Sequence, residues 1–216
     1  MISDNNNAQV PAEKLMPKQM TIQSLREAAA ECKACEIWEH ATQTVFGEGR
    51  SSARFMMVGE QPGDREDIEG RPFVGPAGRI LDDALEAAGI ARTSVYLTNV
   101  VKHFRWVQRG KRRLHSKPGQ VHIRACRPWL TAEIQAVRLR LVVLLGATAA
   151  QSVTGTSFKV TESRGKVLAS PLGVPILATM HPSSILRSPD DKARREAMQG
   201  LIADLEAAAR HLVAGH

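Results

Sequence analysis

The chain has 216 residues, of which 43% are hydrophobic and 24% charged, and it carries a formal net charge of +7. That length suits one domain with a real hydrophobic core, and the composition is that of an ordinary globular protein rather than a fibrous or disordered one. No run of about 18 apolar residues is present to span a bilayer, and the cationic balance favours a polyanionic partner.

In chain order, residues 1–20 lack a basic start followed by an apolar stretch. They read as a flexible segment without a secretory signal, which sets the expectation of a cytoplasmic, bacterial-type protein. Residues 21–216 read as one domain. Thr21 to Cys35 is predicted to be a helix with Leu25, Ala28 and Ala29 on one face. Arg54 to Gly59 is a short apolar run that suits a buried strand, followed by a Gly- and Pro-rich loop from Glu60 to Pro76. Gly78 to Ala88 has helical spacing, with Gly89 as its cap. Val95 to Val101 is a second strand. A basic loop follows, from His103 to about Gly119, and then a helix over Val121 to Val137. Leu139 to Gly146 is a buried strand, with a helix starting near Ala147. A hairpin region lies around Arg164 to Ala169, Val174 to Met180 is a fourth core strand, and Lys192 to Val213 is a long helix. Strands alternating with helices predict a three-layer α/β/α fold around a mostly parallel, four-stranded sheet.

Parallel sheets of this kind bind ligands at the carboxyl ends of their strands. Those ends are Gly59-Glu-Gln-Pro-Gly63, Asn99 to His103, Gly146, and His181-Pro-Ser-Ser184. Three of the four carry polar or ionisable side chains, so a site localises there. Lys102, Arg105, Arg109, Lys111, Arg112 and Arg113 form a basic run that reads equally as a solvated loop or a polyanion contact. Cys32 and Cys35 are spaced C-x-x-C and Cys126 stands alone. An odd count argues against a disulfide framework, and the pair by itself reads as zinc-binding or redox-active.

Gly59-Glu-Gln-Pro-Gly-Asp64 with Gly70-Arg-Pro-Phe-Val-Gly-Pro-Ala-Gly78 resembles the first signature of the iron–sulfur (family four) uracil-DNA glycosylases, and His181-Pro-Ser-Ser184 resembles the second. Thr98-Asn-Val-Val-Lys102 resembles the segment carrying their uracil-reading Asn. The motifs run in the family's order from about Cys32 to the last helix. Gly110-Lys-Arg-Arg-Leu-His115 further resembles the Lys-Arg-Arg-Ile-His loop of the UdgX subfamily, whose members stay covalently attached to the DNA from which they remove uracil; Leu114 stands here for the Ile.

The resemblance implies a role for each residue. His115 is expected to bond the sugar C1′ as uracil leaves, because an imidazole is a good nucleophile near neutral pH and glycosidic cleavage passes through an electrophilic sugar. Glu60 is expected to accept a hydrogen bond from the far N–H of His115, as a carboxylate does in a catalytic triad; a structural salt bridge is the alternative. His181 is expected to donate to uracil O2 as charge builds there, and Asn99 to pair with N3–H and O4. Phe73 should stack on the base, unless it is plain core, with the backbone at Gln61 helping to hold the base. Lys111, Arg112, Arg113, Ser183 and Ser184 are expected on phosphates. A structural [4Fe–4S] cluster held by Cys32, Cys35, Cys126 and His103 is implied, with His103 standing where family four has a cysteine. The expectation is thus a single-turnover, self-trapping uracil-DNA glycosylase of DNA repair, monomeric, off the membrane and acting preferentially on single-stranded DNA. The competing readings are a multiple-turnover glycosylase and a non-catalytic iron–sulfur DNA-binding module.

Overall fold

The computed structural model describes residues 9–214. Its strands are β1 (Phe55–Gly59), β2 (Val95–Asn99), β3 (Trp106–Arg109), β4 (Arg112–His115), β5 (Leu141–Leu145), β6 (Val167–Leu168) and β7 (Ile176–Thr179). Its α-helices are α1 (Ile22–Ala30), α2 (Asp64–Glu69), α3 (Pro76–Ala87), α4 (Gln120–Ala136), α5 (Ala147–Thr154), α6 (Val160–Ser163), α7 (Pro182–Leu186) and α8 (Asp191–Ala214). The main sheet has five strands in the order β2-β1-β5-β7-β6; the first four are parallel and the two-residue β6 runs antiparallel on the edge. The fourfold sheet expected from sequence is therefore fivefold, because a two-residue strand is too short to carry a periodicity.

All five residues of β1 and of β5 are buried, as a strand covered on both faces requires. Alternate side chains part to opposite layers. Met56 and Val58 join Ile123, Leu130 and Ile134 of α4 on one side, and Phe55 and Met57 join Leu81 and Leu85 of α3 with Leu201 and Leu205 of α8 on the other. Helix α1 packs outside α4 through Leu25, Ala29 and Trp129. Of the segment expected to be flexible, residues 1–8 lie outside the described residues, while Ala12–Leu15 forms a 3-10 turn whose buried Ala12 joins that same cluster. Among the described residues no helix is long and apolar enough to cross a membrane.

Two elements replace stretches read as loop. The acidic helix α2 forms inside the Gly- and Pro-rich segment: the Gly63 N–H donates to Glu66 Oε2 at 2.6 Å, tying down its first turn, and Gly70 closes it at φ 71. The basic loop is a two-stranded antiparallel ribbon, β3 on β4, standing outside the main sheet, with Trp106 opposite His115 and Val107 opposite Leu114. Gly110 at φ 59 supplies the positive φ that its tight turn needs.

Candidate active site

The strand order reverses beside β1, whose neighbours are β2 and β5, and a crevice at the carboxyl ends of the strands is the consequence. There the protein opens a cleft of about 930 Å³ lined by Glu60, Phe73, Asn99, His115 and His181 among others. Residues as far apart in sequence as Glu60 and His181 meet in it because each of β1, β2, β5 and β7 ends at its floor.

Asn99 ends β2 opposite Gly59 in the parallel register. It is 2% exposed, and its Nδ2 is the one buried side-chain nitrogen or oxygen among the described residues without a hydrogen-bond partner. A buried amide N–H₂ left unpaired costs free energy unless a ligand completes it. A Cβ on Gly59 would stand 2.3 Å from Asn99 Oδ1 and 2.8 Å from the Phe73 ring, so glycine is what lets the amide and the ring share this corner. Phe73 adopts φ 57, a conformation rare outside glycine and typical of residues held by their surroundings at a site. Its ring is buried and stacks on His181 with centroids 6.3 Å apart. It belongs to the core and also lines the cleft.

His181 caps α7. The backbone N–H of Ser183 donates to its Nδ1 at 3.1 Å, so the neutral ring carries its proton on Nε2. Burial holds its pKa down, to about 4, against the opposing pull of Glu60. The imidazole is therefore a neutral hydrogen-bond donor at physiological pH. A depressed folded-state pKa means that His181 contributes stability in full above its ordinary value of 6.5, and that this is lost as pH falls toward 4. The melting temperature of the wild type should drop across that window more steeply than that of His181→Asn, which keeps a capping side chain but does not titrate.

His115 ends β4, and its Nε2 lies 3.1 Å from Glu60 Oε1. The His115 side chain is 49% exposed and that of Glu60 only 19%. Burial works to raise the Glu60 pKa, but hydrogen bonds from His115 and Thr148 outweigh it and keep the carboxyl below its ordinary range. The ribbon that carries His115 is tethered at its base by Gln61. This side chain donates to the carbonyls of Arg105 (3.0 Å) and Ser116 (3.2 Å) and accepts from the Arg105 N–H.

Arg113, expected on phosphate, is engaged within the protein. Its Nε donates to Asp64 at 2.6 Å and its Nη1 to the wholly buried Asp67 at 2.7 Å, and its guanidinium lies 5.5 Å from the rings of Phe104 and Trp106. It pins the ribbon to α2. Lys111 and Arg112 are exposed at the ribbon's tip, away from the cleft lining. Ser183 Oγ lies 2.8 Å from His181 Nδ1, and Ser184 Oγ donates to the His181 carbonyl at 2.7 Å; both hydroxyls thus also serve the turn. Arg79, Lys117 and Arg187 line the cleft and were not singled out by sequence, where each is one cation among many. Thr148 lines it too, and only its place two residues after the strand-end Gly146 hinted at that.

The four expected cluster ligands are all buried. The Cys35 thiol is lowered and that of Cys126 raised, chiefly because they hydrogen-bond one another. The Trp129 indole N–H donates to Cys32 Sγ at 3.2 Å. His103 Nε2 lies 2.9 Å from Thr44 Oγ1, which spends its own proton on the Ala29 carbonyl. His103 must then be the donor to Thr44, leaving Nδ1 with the lone pair, and burial drops its pKa to about 4 and keeps it neutral. Among the described residues no three such side chains converge on a point that could hold a single metal ion. A cubane cluster asks for something else, since each ligand grips a different iron, and three buried thiols with one neutral imidazole fit that donor set.

Comparison with known proteins agrees with this geometry. Residues 46–206 match the uracil DNA glycosylase superfamily. The chain is 36% identical over 176 residues to a type-4 uracil-DNA glycosylase of Thermotoga maritima, covering 81% of this chain and 88% of that one. It is 34% identical over 178 residues to a type-4 uracil-DNA glycosylase of Sulfurisphaera tokodaii, covering 79% and 78%. A third, from Saccharolobus solfataricus, is 34% identical over 173 residues, covering 76% and 77%. With the crevice, its strand-end residues and these relatives together, the chain belongs to the uracil-DNA glycosylase superfamily.

Proposed function

We propose that this protein excises uracil from DNA, preferentially single-stranded, and that His115 then captures the sugar in a covalent adduct. The observation that carries the reading is the 3.1 Å contact of His115 with Glu60 at the cleft that also holds Asn99, Phe73 and His181. Asn99 offers its unpaired Nδ2–H to uracil O4 and its Oδ1 to N3–H; cytosine presents the opposite pattern at those atoms. Phe73 holds the flat base. As the bond from C1′ to N1 breaks, its electron pair goes to the departing uracil, and His181 Nε2–H steadies the charge at O2. The ring nitrogen of His115 that faces away from Glu60 gives its lone pair to C1′. The resulting imidazolium keeps its other N–H on the Glu60 carboxylate, which offsets the new positive charge. Once that N–H proton passes to Glu60, the sugar carries a neutral N-linked imidazole that could leave only as imidazolate, a poor leaving group, so the adduct persists. Lys111 and Arg112 neutralise phosphates along the strand, and Ser183 and Ser184 contact them at the turn. Cys32, Cys35, Cys126 and His103 would hold a [4Fe–4S] cluster, which would tie the start of the domain to the segment after β2 and take no part in the reaction.

The test is a labelled uracil-containing oligonucleotide mixed with the protein, boiled in detergent and run on a denaturing gel beside its thymine counterpart. A uracil-dependent retarded band is the expected result. An alkali-labile strand without that band would make this a multiple-turnover glycosylase, and binding without uracil release would leave a DNA-binding module. Replacing His181 with Ala should slow uracil release roughly a hundredfold while leaving uracil-DNA binding in place, as loss of one aimed donor does elsewhere; single-turnover release kinetics read it.

A further inference from the structure

The second oxygen of Glu60 is also spoken for. While Oε1 faces His115, Oε2 accepts a hydrogen bond from the hydroxyl of Thr148. Thr148 is 7% exposed and stands in the first turn of α5, directly after the bend at Gly146, whose φ is 89. A Cβ on Gly146 would lie 2.9 Å from the Cβ of His181, so this bend fixes Thr148 and His181 relative to one another.

The need for a second partner is physical. The last torsion of a glutamate side chain is broad and nearly twofold. His115, half exposed and borne on a ribbon outside the sheet, is a yielding partner by itself. Thr148 is anchored by a helix start at the edge of the core, and its single hydroxyl proton has Glu60 as its acceptor. We propose that Thr148 is a positioning residue of the reaction: its hydroxyl fixes the plane of the Glu60 carboxylate so that the other oxygen meets the N–H of His115. This rests on the His115–Glu60 reading given above. Three groups face Glu60: His115 from β4, His181 from the start of α7, and Thr148 from α5. Losing the Thr148 donor leaves burial of the carboxylate less offset, so its ionisation moves to higher pH.

The test compares Thr148→Val, which keeps the shape and removes the hydroxyl, with Thr148→Ser, which restores it. Uracil release and the boil-resistant adduct are each followed in single turnover across pH, with melting curves to show that both variants are folded. Thr148→Val should be roughly three- to tenfold slower at neutral pH, as loss of one neutral hydrogen bond implies. Its acid limb should move to higher pH, and Thr148→Ser should return both to the wild-type values. In a Glu60→Ala background the valine change should have no further effect. An unmoved acid limb overturns the proposal, as does equal slowing in Val and Ser or a valine effect that survives in Glu60→Ala. A wild type that releases uracil without forming an adduct overturns the self-trapping reading and the Thr148 role that rests on it, whereas a wild type that forms the adduct while the valine variant behaves as wild type overturns the Thr148 role alone. A wild type that releases no uracil overturns both.

Discussion

Replacing His115 with alanine should reduce the boil-resistant, uracil-dependent band from the main product to background, while uracil release continues and leaves an alkali-labile site. The reason lies in the division of labour within the cleft. On the proposed reading, base recognition and leaving-group stabilisation belong to Asn99, Phe73 and His181 at the ends of the main sheet and in the loops that follow. His115 arrives from the separate ribbon, and its Nε2 meets Glu60 at 3.1 Å. Removing its ring should then open a path for water to C1′ without disturbing the base. Serine or glycine at the same position should behave alike. The measurement is paired: free uracil by chromatography and adduct by gel. A variant that neither releases uracil nor binds the DNA would give His115 a different role, and a band that survives the substitution would assign the bond to another nucleophile.

The largest expected effect on stability comes from a network the reaction does not use. Lys102 is 1% exposed and Glu133 is 0% exposed. Lys102 Nζ donates to Glu133 Oε2 at 2.6 Å, to Thr98 Oγ1 at 2.6 Å and to the Asn99 carbonyl at 2.7 Å. Glu133 Oε1 accepts from the Tyr96 hydroxyl and the Gly47 N–H, each at 3.0 Å. Burial beside this carboxylate pushes the Tyr96 phenol well up, so it stays a donor at any working pH. Lys102→Met leaves Glu133 as a lone buried charge and should cost about 3–5 kcal/mol. For a domain of this size that lowers the melting temperature on the order of 10 °C. The double replacement Lys102→Met with Glu133→Gln should recover part of the loss, because no charge is then stranded. A fall of only about 2 °C for the single variant would mean that solvent reaches Glu133.

Much of the site was legible because strand ends carry their own signals. The apolar runs ending at Gly59 and Gly146, and the pairs Glu60–Gln61 and His181–Pro182, fall where chain and chemistry change together. The ribbon was not legible. Only Val107 and Leu114 are apolar on its outer face, and six cations between Lys102 and Arg113 obscure the twofold alternation, although Gly110 marked its turn. Helix α2 was hidden by the Gly and Pro around it, its capping Glu66 reading as one more surface acid. Arg113 and Lys102 look in sequence like their solvated neighbours. Their partners, Asp67 and Glu133, lie 46 and 31 residues away, beyond any local pattern. Thr148 is in the same position, 88 residues from Glu60.

The ribbon β3–β4 adds no strand to the main sheet and is fastened through side chains, by Gln61 at its base and by Arg113 on α2. Its length can therefore vary without cutting into the core, and on the proposed reading whether the protein lets go of its product depends on that appendage. Lineages could gain or lose permanence on DNA by altering the ribbon alone, with the machinery for finding uracil left whole. An engineer could trim the ribbon to convert a one-shot tag into a recycling repair tool.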